Sequence, residues 1–323
     1  MKYYRAIVSD PVRTPSLFEC CAAAVGSVHG ALRPRRADER FLRSITDAGL
    51  PTARRTVTVT SLAQVPRLVP TAAVVEGRFA PRRIANSLTS FVVQHPEATF
   101  LVDPGYCIDA DHRAIAQLPR PLRMAVRPPS DTIPTITALE AESALPPVDF
   151  ALPTHAHWDH VCGLLDLPGL PVYLHSAEYH WISRGAVAPV GGVRDALKDR
   201  PLVEYDLDGP PILTFTRSHD LFGDGSVVLV DLAGHTPGSI GILAHTRRGW
   251  ILLAGDAAWH SLQIEEIRQK SAFPGSFADN DRDLTFKTLH RLHLARHCAT
   301  VIPTHDHDAT RHLSAHSDSG VGQ

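Results

Sequence analysis

Cysteine is scarce and follows no pairing pattern. Its five positions are Cys20, Cys21, Cys107, Cys162 and Cys298, an odd number without a C-x-x-C pair. That excludes a disulfide framework and a thiolate zinc site. Cys162 reads as a small buried apolar side chain. Long apolar runs are also missing, since no stretch reaches the roughly 18 uncharged apolar residues of a spanning helix. The Ala- and Cys-rich run Leu17–Leu32 makes a poor secretory signal, because it contains Glu19 and His29 and follows Asp10. It reads instead as an amphipathic helix packed on the domain or on a partner subunit. A cytoplasmic location is expected. Charge of one sign is lacking as well. The net formal charge of −2 gives no long-range attraction to nucleic acid or to an anionic membrane. The one basic cluster, Arg33-Pro34-Arg35-Arg36, has no interleaved aromatics and reads as a solvated helix flank.

What remains is a globular chain of 323 residues, 44% apolar, with 19 histidines. The pattern divides it in two. Residues 1–54 read as an N-terminal helical extension, with helices near 16–31 and 38–48 closed by Gly49 and Pro51. A role as a dimer arm is expected for this part. Residues 55–323 read as one α/β domain. Thr56–Thr60 alternates as a strand. Ser90–Gln94 and Thr99–Asp103 form a hairpin across His95-Pro96-Glu97-Ala98, and Asp103-Pro104-Gly105 turns out of it. Helices are expected at 109–117, 136–144 and 284–297. Another should follow Ser176, read as its cap, and carry Glu178. Further strands are expected at Val148–Leu152, Val172–His175, Val227–Leu232, Ile240–His245, Trp250–Leu253 and Thr300–Pro303.

The chemistry sits at the ends of these strands. T-H-A-H-W-D-H at 154–160 supplies His155, His157, Asp159 and His160. Strand ends further on deliver His235, Asp256 and His305. Imidazole and carboxylate are donors for Zn²⁺, Mn²⁺ or Fe²⁺. In H-x-H-x-D-H alternate residues point the same way, so His155 and His157 share one ion. Asp159 and His160 follow as the chain turns and face a second. His235 completes the first set, His305 the second, and Asp256 gives one oxygen to each. His307 is a rival to His305, which is preferred because it leaves the strand directly. His219 and His260 read as pocket edge or surface. The set predicts two divalent ions, Zn²⁺ first, with a bridging hydroxide that attacks a carbonyl. Asp256 and Asp159 are the catalytic candidates, Asp159 also passing a proton to the leaving group.

With its quoted motifs T-H-A-H-W-D-H, G-H-T-P-G-S (234–239), G-D-A (255–257) and P-T-H-D (303–306), the chain resembles the metallo-β-lactamase superfamily over residues 56–310. The resemblance implies a four-layer αβ/βα sandwich with the site at one edge between two sheets. Asp256 stands where the best-known zinc β-lactamases carry cysteine, which argues against β-lactam hydrolysis. The short polar tail after His305 does not match the glutathione-binding region of glyoxalase II enzymes. Neither an RNA-binding arm nor a further His-rich motif of the nuclease branches is seen. P-T-H-D and the 160–235 interval are most similar to N-acyl homoserine lactonases. One departure concerns Trp259, since those lactonases often carry a Tyr there that contacts the substrate carbonyl. An indole N–H donates but cannot act as a phenol.

The function expected is hydrolysis of a small-molecule ester or lactone. Thioester hydrolysis of glyoxalase II type and iron-dependent persulfide oxidation are the alternatives. Segments 118–134, 185–200 and 259–278, with Met124, Trp259, Phe273 and Phe277, are expected as pocket walls; ordinary core packing is the equal alternative. Asp103 either orients a ligand ring or caps its turn. Thr236 and Ser239 are expected to brace the loop of His235.

Overall fold

Alternation along β11 (Val227–Asp231) sets the architecture. Val227 and Leu229 turn to one side and Val228 and Val230 to the other, and all four are buried. A strand buried on both faces needs a covering layer on each. The computed structural model describes residues 2–3, 17–116, 123–124, 126–184 and 193–314.

The remaining strands are β1 (Lys2–Tyr3), β2 (Thr58–Ser61), β3 (Arg67–Pro70), β4 (Arg83–Asn86), β5 (Phe91–His95), β6 (Ala98–Val102), β7 (Phe150–Leu152), β8 (Val172–His175), β9 (Pro201–Tyr205), β10 (Ser218–Asp220), β12 (Ile240–Thr246), β13 (Gly249–Leu253) and β14 (Thr300–Ile302). One sheet runs β1-β9-β8-β7-β6-β5-β2 and the other β10-β11-β12-β13-β14; β3 and β4 pair separately. Val59, Phe91, Phe100, Phe150 and Leu152 of the first sheet meet Val227, Leu229, Ile242 and Leu253 of the second. The Phe100 and Phe150 rings stack at 5.1 Å. Outside the first sheet, Val172, Leu174 and Leu202 pack on Val161, Ile182 and Leu197. Outside the second, Val230, Leu243 and Leu252 pack on Phe286, Leu289 and Leu292 of helix Arg282–Ala295. The order is helix, sheet, sheet, helix, as the resemblance implied.

Parallel pairing of β6 with β7 and of β13 with β14 brings their C-terminal ends to common edges. β11 runs the same way as β13, because each is antiparallel to β12. The loops that carry Asp103, His155, His235, Asp256 and His305 all leave such ends.

Several elements depart from expectation. The second helix stops at Ser44 rather than 48, because the backbone turns outward to a neighbouring loop. Ala48 N donates to Leu213 O at 2.7 Å and Leu213 N to Gly49 O at 2.8 Å. The helix expected over 109–117 is the single turn Ala110–Arg113 within the described residues. The helix expected over 136–144 is Thr135–Ala141. Ser176 does not cap its helix; it is the first helical residue, and its hydroxyl donates to Tyr205 O at 3.1 Å. The β3–β4 pair, β9 and helices Ser261–Glu266 and Ala272–Ala278 were not anticipated. Parts of two expected pocket walls, residues 117–122, 125 and 185–192, lie outside the described residues.

Helix Leu17–Leu32 lies against Ala272–Ala278, where Phe273 N donates to Ser27 Oγ at 2.8 Å. Helix Glu39–Ser44 sits on Arg282–Ala295, with Asp38 N donating to His290 Nε2 at 2.8 Å.

Leu229 is fully buried between the sheets, whereas Leu68 is 60% exposed. Leu229→Ala should lower the unfolding free energy by about 2–5 kcal/mol. Leu68→Ala should change it by less than about 0.5 kcal/mol. Denaturant titrations of the two variants, compared at equal slope, check the assignment of the inter-sheet core.

Candidate metal centre

The loop after β7 bends at Thr154 and His155, is extended at His157, and then closes into the single turn Trp158–Val161. That change of conformation divides the motif between two clusters. His155 Nε2 lies 2.8 Å and His235 Nε2 2.9 Å from His157 Nδ1, so three ring nitrogens face one point. Asp159, His160 and His305 form a second group of converging donors, and His155, His160 and Asp256 a third that lies between the two. His160 Nε2 and His305 Nε2 each lie 3.2 Å from Asp256 Oδ1, while His235 Nε2 lies 3.4 Å from Asp256 Oδ2. The two carboxylate oxygens of Asp256 thus face different clusters. All seven motif residues come together. His307 does not join them: its Nδ1 lies 3.3 Å from Ser87 Oγ. His260 instead accepts from Leu262 N at the start of its helix, and His219 stacks on Tyr205.

Asp256 reaches this position on the tight turn Gly255–Ala257. Gly255 has φ +51°, and a Cβ there would stand 2.5 Å from Thr154 Oγ1. Glycine is required both for the left-handed backbone and for the close approach of the two ligand loops.

A second ring of polar groups holds the donors. Asp103 accepts from Thr154 N at 2.7 Å, from Thr154 Oγ1 at 2.9 Å and from Thr304 Oγ1 at 3.1 Å. His160 Nδ1 lies 3.0 Å from its other side. Asp103 therefore joins the β6, β7 and β14 loops as well as facing a ring. His305 Nδ1 pairs with Ser87 O at 2.9 Å. Thr236 and Ser239 hydrogen-bond within the His235 loop, Thr236 N donating to Ser239 Oγ at 3.0 Å.

Sequence reasoning missed three supporting residues. Glu178 is buried and accepts from Ala156 N, Thr236 Oγ1 and Gly238 N, which ties the His155–His157 loop to the His235 loop. Asp279 pairs with His235 Nδ1 at 2.9 Å. Lys270 Nζ reaches Asp279 Oδ1 at 2.7 Å and Asp256 O at 2.9 Å.

Burial drives the electrostatics. It pushes His155, His157 and His235 down, and neighbouring imidazoles, or Lys270 at His235, add to the effect. These rings are neutral near pH 7, the form that binds a metal. Burial opposes charge on His160 too, but Asp103 and Asp256 overcome it and hold the ring well above its usual range. His305 is raised in the same way by Asp256. Burial raises Asp256, but His305 and His160 outweigh that and hold it well below the usual carboxylate range. Positive charge is demanded here. His160 Nε2 and Asp256 Oδ1 are both buried, face each other and have no hydrogen-bond partner. A cation between them would satisfy both atoms. The donor set of imidazoles and carboxylates, free of thiolate, fits a divalent ion.

A cavity of about 500 Å³ lies beside the Asp103–Gly105 turn, lined by Tyr106, Cys107, Asp111, Arg127, Pro128 and Thr132. Its lining includes part of the expected 118–134 wall. The Tyr106 ring is 5.7 Å from that of Trp158, and its phenol is pushed up by burial and by Asp159. Of the apolar residues expected in the walls, Met124 and Phe273 are largely exposed, and Phe277 packs edge-on against Phe273. Cys162 is buried as expected, with Sγ donating to Gly105 O.

The arrangement defines a class. A profile of the metallo-beta-lactamase superfamily matches residues 85–308, and the chain belongs to that superfamily. Within it, the chain is 34% identical over 117 residues to a probable metallo-hydrolase of Mycobacterium tuberculosis, covering 33% of this chain and 36% of that one. It is 27% identical over 164 residues to the N-acyl homoserine lactonase AttM of Rhizobium radiobacter, covering 50% of this chain and 59% of the relative. Each match thus spans less than two thirds of the relative's length. In three dimensions it is similar to the B. thuringiensis protein AiiA, crystallised as a variant with N-decanoyl-L-homoserine at the active site. The TM-score is 0.57 at 16% identity, over 80% of this chain and 96% of that one. The mixed α/β sandwich is therefore shared.

Burial raises the Asp279 carboxyl, but Lys270 and His235 outweigh it and hold it at about 2, below its ordinary 3.8. A depressed folded-state value means that the folded protein binds fewer protons between those two points. The pair's contribution to stability is therefore full above pH 3.8 and is lost as pH falls through about 2. Asp279→Asn should flatten acid unfolding over that window. It should also weaken metal binding about 10- to 100-fold, as loss of a partner to a ligating His does. Acid titration followed by circular dichroism, and metal titration calorimetry near neutral pH, check the two effects.

Proposed function

We propose that this chain is a metal-dependent hydrolase that opens lactones or cleaves similar small esters. The observation that carries the reading is the division of Asp256, one oxygen toward each donor cluster. His155, His157 and His235 would hold one divalent ion, and Asp159, His160 and His305 a second, with Asp256 shared between them. Zinc suits this nitrogen-rich set best, and manganese or iron are compatible with it. Two such ions supply an activated water and polarise the substrate carbonyl.

The protein's own groups then have distinct tasks. Asp256 fixes the spacing of the two clusters. Asp159 is half-buried and converges with His160 and His305 in the second cluster. It is the group suited to carry the proton from the attacking water to the leaving oxygen. In the overall reaction the water oxygen bonds to the acyl carbon and the acyl–oxygen bond breaks. The released alkoxide takes the proton, giving a hydroxy acid from a lactone. Relatives named as lactonases support the substrate class, and so does the carboxylate at position 256.

None of the helices described is long and apolar enough to cross a membrane. For residues 1–54 we retain the reading of an extension that contributes to a homodimer.

A panel running from short γ-lactones to long N-acyl homoserine lactones, with metal content quantified, tests the function. The protein should bind two ions per chain and open at least one lactone. Asp256→Asn should lose metal and reduce turnover by about 100- to 1000-fold, the scale of removing a group that acts in the transition state. Full activity in Asp256→Asn would overturn the shared-carboxylate mechanism. Two bound ions with thioester but no lactone turnover would overturn the substrate class alone.

A further inference from the structure

A carboxylate shared between two ions must hold both oxygens in fixed directions, and Asp256 sits on the single three-residue 3₁₀ turn Gly255–Ala257. Its orientation comes from two residues beyond the seven donors. Trp259 Nε1 donates to Asp256 Oδ2 at 2.6 Å. The indole is wedged against Val74, Val75 and Ile84, and this packing fixes the direction of its N–H. Lys270 is 1% exposed. Its ammonium donates to the Asp256 carbonyl at 2.9 Å and to Asp279 Oδ1 at 2.7 Å, and it lies 4.9 Å from the centre of the Trp259 ring. Two hydrogen bonds and an aromatic face thus account for its donor directions. Asp279 in turn holds His235. One buried cation therefore braces the Asp256 backbone, the indole that aims its side chain, and the carboxylate that aims a neighbouring imidazole.

We propose that Trp259 and Lys270 form one positioning device that sets the orientation of the Asp256 carboxylate for its two-sided role. The inference rests on the dinuclear reading above. It gives Trp259 a task different from substrate contact: its one side-chain N–H is committed to Asp256. It also explains why a cation is tolerated beside a site that takes cations, since Asp279 balances its charge.

The competing account is a Lys270–Asp279 pair that merely fastens the segment leading to helix Arg282–Ala295; Arg282 already bonds to Lys270 O at 2.7 Å. Metal affinity separates the two. Wild type, Trp259→Phe, Lys270→Met and the double variant would be titrated with zinc against a competing chelator. Their cobalt-loaded forms would be compared by visible absorption, which reports ligand geometry. Trp259→Phe keeps the aromatic packing and loses only the N–H, so it remains folded and informative if Lys270→Met does not. Each single variant should hold metal about 10- to 100-fold more weakly and show an altered cobalt spectrum. The double variant should lose less than the product of the two, because both act on one carboxylate. Wild-type affinity and an unchanged spectrum in Trp259→Phe would overturn the proposal. Independent, multiplying losses would overturn the single-device form of it. A wild type that binds no metal would instead overturn the dinuclear reading.

Discussion

The arrangement depends on one buried carboxylate that several cationic or donor groups compete to satisfy. Asp256 draws His160 and His305 to one oxygen and His235 and Trp259 to the other. Such a group is costly to bury alone and is kept only where its surroundings supply compensating charge. Loops from four strand ends meet around it. Gly255 lets the Asp256 turn approach Thr154, and Asp103 ties Thr154 to Thr304. The inter-sheet core then has a functional consequence, since it fixes the strand ends from which every donor is hung.

Much of this was legible in the sequence, for physical reasons that differ by element. Strict alternation marks the Thr56–Thr60 stretch that leads into β2, whereas β5, β6 and β11 show as short apolar runs bounded by turn residues because both their faces are covered. The donors are legible because imidazole and carboxylate recur at strand ends in a spacing that a folded sheet can converge. The supporting groups were not. Glu178 reads as an ordinary helix charge until β8 and the His235 loop are packed together. Asp279 and Lys270 flank a helix, and only the fold brings them to His235 and Asp256. The one available signal was that Lys270 is a lysine in a chain that uses arginine almost everywhere else. β3 and β4 were hidden because the pair is short, arginine-bearing and largely exposed, with no alternation to read. Element ends failed where backbone groups found tertiary partners, as Ala48 and Gly49 do on Leu213.

In the positioning device proposed above, Trp259 faces the ligand carboxylate. A phenol there could reach outward to a substrate. The indole is turned inward, packed on Val74, Val75 and Ile84, and spends its N–H on the ligand carboxylate. Tyr106 lines the adjoining cavity and feels the charge of Asp159 and Asp256. The neutral state of three imidazoles and the charged state of Asp256 both follow from the local balance of burial against neighbours, so ligand readiness is a property of the fold as well as of residue type.

The most direct test of the account is anomalous X-ray diffraction from crystals of the zinc-loaded protein. The account predicts two peaks, one among His155, His157 and His235 and one among Asp159, His160 and His305, each within bonding distance of a different Asp256 oxygen. A single peak, or a pair that leaves Asp256 uncoordinated, would contradict it.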